Sequence, residues 1–242
     1  MKIVVPGNRW RVAEMLAMKG WLETRWRLIG LIGMPAILLA IKYSARHEPR
    51  TASLALELMW LSLSGAMFLM AGSGVKSQAP THISFPEGLA GSTQFTISLP
   101  VSRALLVAVR AGIGIIEGFA ATLIVAFTLW QLFPSISGSM TLADFAKLVL
   151  TTLLWLPLPY SAALLSQAFV VEPLSFFPAG YGLTLLLWLL HKISPAVDVV
   201  RAFGAASPLL THRLPVSQLA TAGLLAVTLL LAAIWAVQRR EY

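Results

Sequence analysis

Long apolar runs alternate with short polar joints along this chain, and the runs have the length of membrane helices. A bilayer core about 30 Å thick takes roughly 20 apolar residues as helix. The pattern predicts six spans, at about 26–44, 52–73, 104–132, 144–170, 174–193 and 216–237. The runs are Leu- and Ala-rich and lack the alternation of a barrel strand, so helices that satisfy their own backbone are expected. The expected fold class is therefore an all-α integral membrane bundle forming a single domain, 1–242.

Composition sharpens this picture. The chain has 242 residues, 57% hydrophobic and 12% charged, with mean hydropathy +0.79. Soluble domains carry about 25% charged residues, so this chain has too few ionic side chains to cover a water-facing surface. The net charge of +8 does not indicate nucleic acid, because Lys and Arg gather at the ends of apolar runs rather than on one basic face. Six spans put both termini on one side. That assigns eleven Lys and Arg to the terminal side and seven to the other, which favours cytoplasmic termini.

Polar segments outside the spans have their own signatures. Residues 8–24 read as an interfacial amphipathic elbow helix, with Trp10 and Trp21 suited to headgroup level and Arg9, Arg11 and Lys19 suited to anionic lipid; a disordered tail is the competing reading. Its broken apolar run does not resemble a signal peptide. Residues 194–215 carry Pro195, Pro208 and Pro215 between short apolar turns. They read as an outer connection that dips back into the membrane.

Little in the sequence carries chemistry. It has no cysteine and four histidines, His47, His82, His191 and His212, and none falls in a metalloprotease spacing. Neither a nucleophile elbow nor a phosphate-cradling P-loop occurs, so no metal, cofactor or ATPase site is expected in this chain. Two acids lie inside predicted spans, away from their end residues. Glu117 is thirteen residues into the third, roughly 20 Å deep. There a charged carboxylate is costly unless paired, hydrated or protonated. It reads either as a polar group lining a pathway or as a hydrogen bond to a neighbouring helix. Glu57, near a membrane face, is the second candidate intramembrane polar residue and can snorkel to water. Pro157 and Pro159 break the fourth span's ladder, as a fixed bend or a flexing kink. Gly112, Gly114 and Gly118 permit close helix contact in the third.

One stretch is more specific. Residues 86–103, "PEGLAGSTQFTISLPVSR", begin as a helix start with an acid in the first turn and end at Pro100 beside Arg103. The segment 86–100 reads as a short helix along the membrane surface. This stretch resembles the ABC transporter type-2 permease family, through Glu87, Gly88, Thr93, Leu99, Pro100, Val101, Ser102 and Arg103. Leu89, Ala90, Gly91 and Ser92 lengthen the usual spacing. The order of elbow, six spans, cytoplasmic insert and apolar outer connection is also similar to that family (the type V exporter permease fold).

The resemblance implies the transmembrane subunit of an ATP-driven exporter in a bacterial cytoplasmic membrane, with no ATPase activity of its own. It implies a second permease, identical or paralogous, and two copies of an ATP-binding subunit that carry the ATP and Mg. Coupling to that subunit would fall to Glu87, Gly88, Thr93, Leu99, Pro100, Ser102 and Arg103. Two other classes stay open: a non-transporting membrane anchor that recruits a soluble partner, and an intramembrane enzyme acting on lipid.

Overall fold

The computed structural model describes residues 11–18, 21, 102–132, 140–167 and 176–239. The predicted spans 26–44 and 52–73 and the segment 86–100 lie outside the described residues. Residues 11–18, within the predicted elbow, are helical, with Met15 and Met18 exposed. Every other regular element among the described residues is also helical.

Helix α1, Arg103–Leu132, starts where the chain offers a cap. Ser102 accepts the Leu105 N–H on its hydroxyl (3.4 Å) and the Leu106 N–H on its carbonyl (3.2 Å). That satisfies donors which a helix start otherwise leaves open. Helix α2, Leu142–Trp155, starts two residues before the predicted span because Thr141 caps it, accepting from the Asp144 N–H at 3.1 Å. It ends at Leu156, and α3, Pro157–Gln167, continues beyond. The break falls where Pro157 and Pro159 remove two backbone donors.

Helix α4, Phe176–Ile193, leads into the connection predicted to dip back. That connection holds a 3₁₀ turn, Val199–Ala202, and a short helix α5, Pro208–Thr211, before α6, Val216–Arg239. The stretches Ala104–Thr128, Leu142–Ser166 and Val216–Arg239 are long and apolar enough to cross a membrane.

These helices run antiparallel in sequence order. Val107, near the start of α1, packs with Ala236 and Val237 near the end of α6. Trp130, near the other end of α1, stacks 4.9 Å from Phe145 at the start of α2. The starts of α2 and α6 and the end of α4 therefore share one end of the bundle, which the connection caps. From this capped end the chain turns inward. Val199 is fully buried with Leu158 and Ala222, and Phe203 meets Trp155 edge-on at 5.6 Å. Trp155 lies about 16 Å along the helix from Asp144, so the connection reaches into the bundle before returning to the rim.

Candidate functional sites: a mid-span carboxyl and a capped bundle end

Helix α1 turns one stripe toward the protein: Val107, Ala111, Gly114, Glu117, Gly118, Ala121, Thr122 and Val125 are buried. At two of these positions a neighbouring side chain occupies the space a Cβ would take. A Cβ at Gly114 would collide with the Tyr160 phenol, and one at Gly118 would sit 2.9 Å from Leu156 Cδ2. Tyr160 thus fills the notch that Gly114 leaves, and its hydroxyl donates to the Arg110 carbonyl at 3.3 Å. The two residues set into α1 flank the proline break between α2 and α3. By contrast a Cβ at Gly112 would meet open space.

Glu117 lies on this packed stripe with 3% of its surface exposed. It is about 15 Å along α1 from Val107 and about 20 Å from Trp130, which are level with opposite ends of the bundle. The carboxyl therefore sits mid-span and faces protein rather than lipid. Thr122 beside it returns its hydroxyl to the Gly118 carbonyl at 2.7 Å. Arg110 and Glu117 are both within electrostatic reach of Tyr160.

The capped end is built differently. Asp144, in the first turn of α2, has a 7% exposed side chain yet receives three side-chain donors. Lys147 donates to Oδ1 at 3.1 Å, and Thr141 and His212 Nδ1 donate to Oδ2 at 2.8 Å each. The same Lys147 ammonium also donates to the His212 carbonyl at 2.8 Å. His212 stands in the left-handed region, φ 55°, as the C-cap of α5. A β-carbon is strained there, and the contacts to α2 hold it.

A second carboxylate–imidazole pair stands where the connection begins. Asp198 caps the 3₁₀ turn, accepting the Val200 N–H on Oδ1 at 3.2 Å and His191 Nδ1 on Oδ2 at 2.7 Å. Its side chain is 1% exposed, whereas the His191 ring is 60% exposed. Gln218 of α6 ties in the chain just before this turn by donating to the Pro195 carbonyl at 3.0 Å. An ionised carboxylate only accepts, so each imidazole presents Nδ1–H to its aspartate and is oriented by it. The connection is thus latched at both ends.

Of the residues expected to matter, Glu57, Glu87, Gly88, Thr93, Leu99 and Pro100 lie outside the described residues. Ser102 is exposed and caps α1; Arg103 is the first residue of that helix. The Asp–His pairs were not among the expectations. Thr141-Leu-Ala-Asp144 does carry a cap signature, a hydroxyl residue followed three positions later by an acid before an apolar run. Nothing comparable marks His212 as its partner, 68 residues away. Among the described residues no three His, Cys, Asp or Glu side chains gather as a metal site. Compared with known proteins, the chain matches no family model, no curated protein and no solved structure.

Proposed function

We propose that this chain is the permease subunit of an ATP-driven ABC exporter, a type-2 permease with six spans and cytoplasmic termini in a bacterial inner membrane. One observation carries the reading: the stretch 86–103, which resembles the family's coupling segment, runs straight into the Ser102 cap of a membrane-length helix. Only Val101 separates the segment 86–100 from the Ser102 cap in sequence, so α1 is the helix that an ATP-binding subunit acting on that segment moves. Helix α1 is keyed to Leu156 and Tyr160 through Gly118 and Gly114, so its motion passes to the proline break. Substrate then crosses between two permeases, driven by ATP and Mg held on two partner subunits.

Charge reversal at the two ends of the segment tests this. Glu87→Lys with Arg103→Glu should abolish co-purification with the ATP-binding subunit and transport-linked ATP turnover, while leaving the chain folded in the membrane. If both survive, the segment is a plain loop and the anchor reading gains.

One observation favours the enzyme reading instead. His191 and His212 are exposed imidazoles oriented by buried aspartates, an arrangement that general bases use. Replacing both with Asn leaves transport intact under the permease reading. It abolishes turnover of lipid under the other.

A further inference from the structure

We infer that the capped end of the bundle is a binding face for anionic lipid, taking the lipid phosphate on its cations and the acyl chains on the apolar side chains between them. The inference goes beyond the transport reading and holds for an anchor equally well.

The two latches share a composition. His212 and Lys147 hold buried Asp144, and Arg213 follows His212 in sequence. His191 holds buried Asp198, Lys192 follows His191, and the Arg201 N–H donates to the Asp198 carbonyl at 3.1 Å. Each cluster sets one lysine and one arginine against one carboxylate, 2 − 1 = +1 before either imidazole is counted. The signs are also segregated by depth. Both aspartates lie beneath the surface, while Arg213, Lys192 and the two imidazole rings are exposed and Arg201 is half-buried. Glu117 is at mid-span, and no other acid among the described residues of the bundle joins this end. Buried carboxylates orient this surface without offsetting it toward solvent, so the charges that the described residues present there are cationic.

The apolar neighbours select a lipid over a dissolved anion. Ile193 follows Lys192 in sequence and is 72% exposed; Leu210, just before His212 and Arg213, is 70% exposed. On α4 the Lys192 ammonium lies 5.9 Å from the Trp188 ring centroid, and Leu185 and Leu189 continue that exposed face toward the bilayer interior. Tryptophan marks headgroup level in a membrane protein, so Lys192 stands where phosphates are. A free anion gains nothing from exposed Leu and Ile; a phospholipid uses both parts of the surface.

The test is lipid retention by the purified full-length protein, counted by native mass spectrometry. Phosphatidylglycerol, phosphatidylcholine and inorganic phosphate are titrated separately. Phosphatidylglycerol should be retained at concentrations where phosphatidylcholine is lost, and inorganic phosphate should neither bind nor displace it. Each cation removed should weaken retention about fivefold, and K192Q/R201Q/R213Q together about a hundredfold. The conservative K192R/R201K/R213K protein should retain lipid as the parent does. Lys147 is left in place because it holds the Asp144 latch. Should the neutral triple variant misfold, R213Q alone, in the exposed rim, still reads out the fivefold loss. Equal retention of the two lipids, displacement by phosphate, or undiminished retention in R213Q would each overturn the inference.

Discussion

The mid-span stripe of α1 and the capped end both bury carboxyl groups, but they hold their helices together by opposite means. At mid-span the contact is mainly steric: Tyr160 and Leu156 sit in notches left by Gly114 and Gly118, with one hydrogen bond across, from Tyr160 to the Arg110 carbonyl, while Thr122 returns its hydroxyl to its own helix. At the capped end the contact is polar: Asp144 gathers a donor from 68 residues away, and Asp198 joins the end of α4 to the connection that follows it. Water is scarce at mid-span, where shape must supply specificity, because lipid tails are as apolar as the side chains. Near the membrane face, charge can be paired and its exposed partner hydrated. Shape therefore governs how the helices pack, and charge governs how the connection is held over them.

The largest effect expected from this contrast is at Gly114. Gly114→Leu must expel the Tyr160 phenol from its notch, and overpacking of this kind costs about 1–3 kcal/mol or more. Thermal unfolding in detergent should fall sharply, and Tyr160→Ala in the same chain should partly restore it. If Gly114→Leu melts as the parent does, the notch is not a contact.

Next comes the Asp144 latch. Asp144→Asn keeps the shape but turns an acceptor of three donors into a mixed group facing Lys147. The chain lacks cysteine, so a single thiol can report. Ser207→Cys, at a position 2% exposed, should react slowly with a water-soluble maleimide in the parent and several-fold faster with Asp144→Asn present. His212→Asn, which tolerates left-handed backbone and still offers an N–H, should raise the rate less. Equal rates in all three would show that the latch does not hold the connection.

Glu117→Gln separates a role for the charge from a role in packing. Amide and carboxyl have the same shape, so unfolding should shift little; transport falls if the charge is used and is unchanged if Glu117 only packs. A melt lowered as far as that of Gly114→Leu would contradict the steric account of the stripe. The smallest effect is expected at Gly112, where nothing would meet a new Cβ. Gly112→Ala should be neutral or stabilising within about 1 kcal/mol.

What was legible from sequence follows the same division. Helices declare themselves through continuous apolar runs, so the runs near 104–132, 174–193 and 216–237 reappear as helices with ends shifted by one or two residues. Depth is legible too, since rise per residue alone sets Glu117 at mid-span. Which face Gly112, Gly114 and Gly118 each present was not legible. Three glycines within seven positions look alike until Tyr160, some 50 residues on, takes one notch. The Asp–His latches were hidden for a related reason. Residue 212 meets residue 144 through tertiary folding, and a pair that far apart leaves no local spacing to read. His191 and Asp198 are seven residues apart, but the turn that joins them follows no helical or strand period. Pro157 and Pro159 foretold the break but not that Trp155, next to it, receives Phe203 from the connection.

The most direct test of the permease reading is to capture the tagged full-length chain from its native membranes and identify what comes with it. The account predicts a P-loop ATP-binding subunit in equal stoichiometry with two membrane subunits, and Mg–ATP turnover by that complex. The same chain stripped of the subunit should turn over ATP no faster than a buffer blank. A captured chain that carries no P-loop subunit, or that hydrolyses ATP alone, would contradict it.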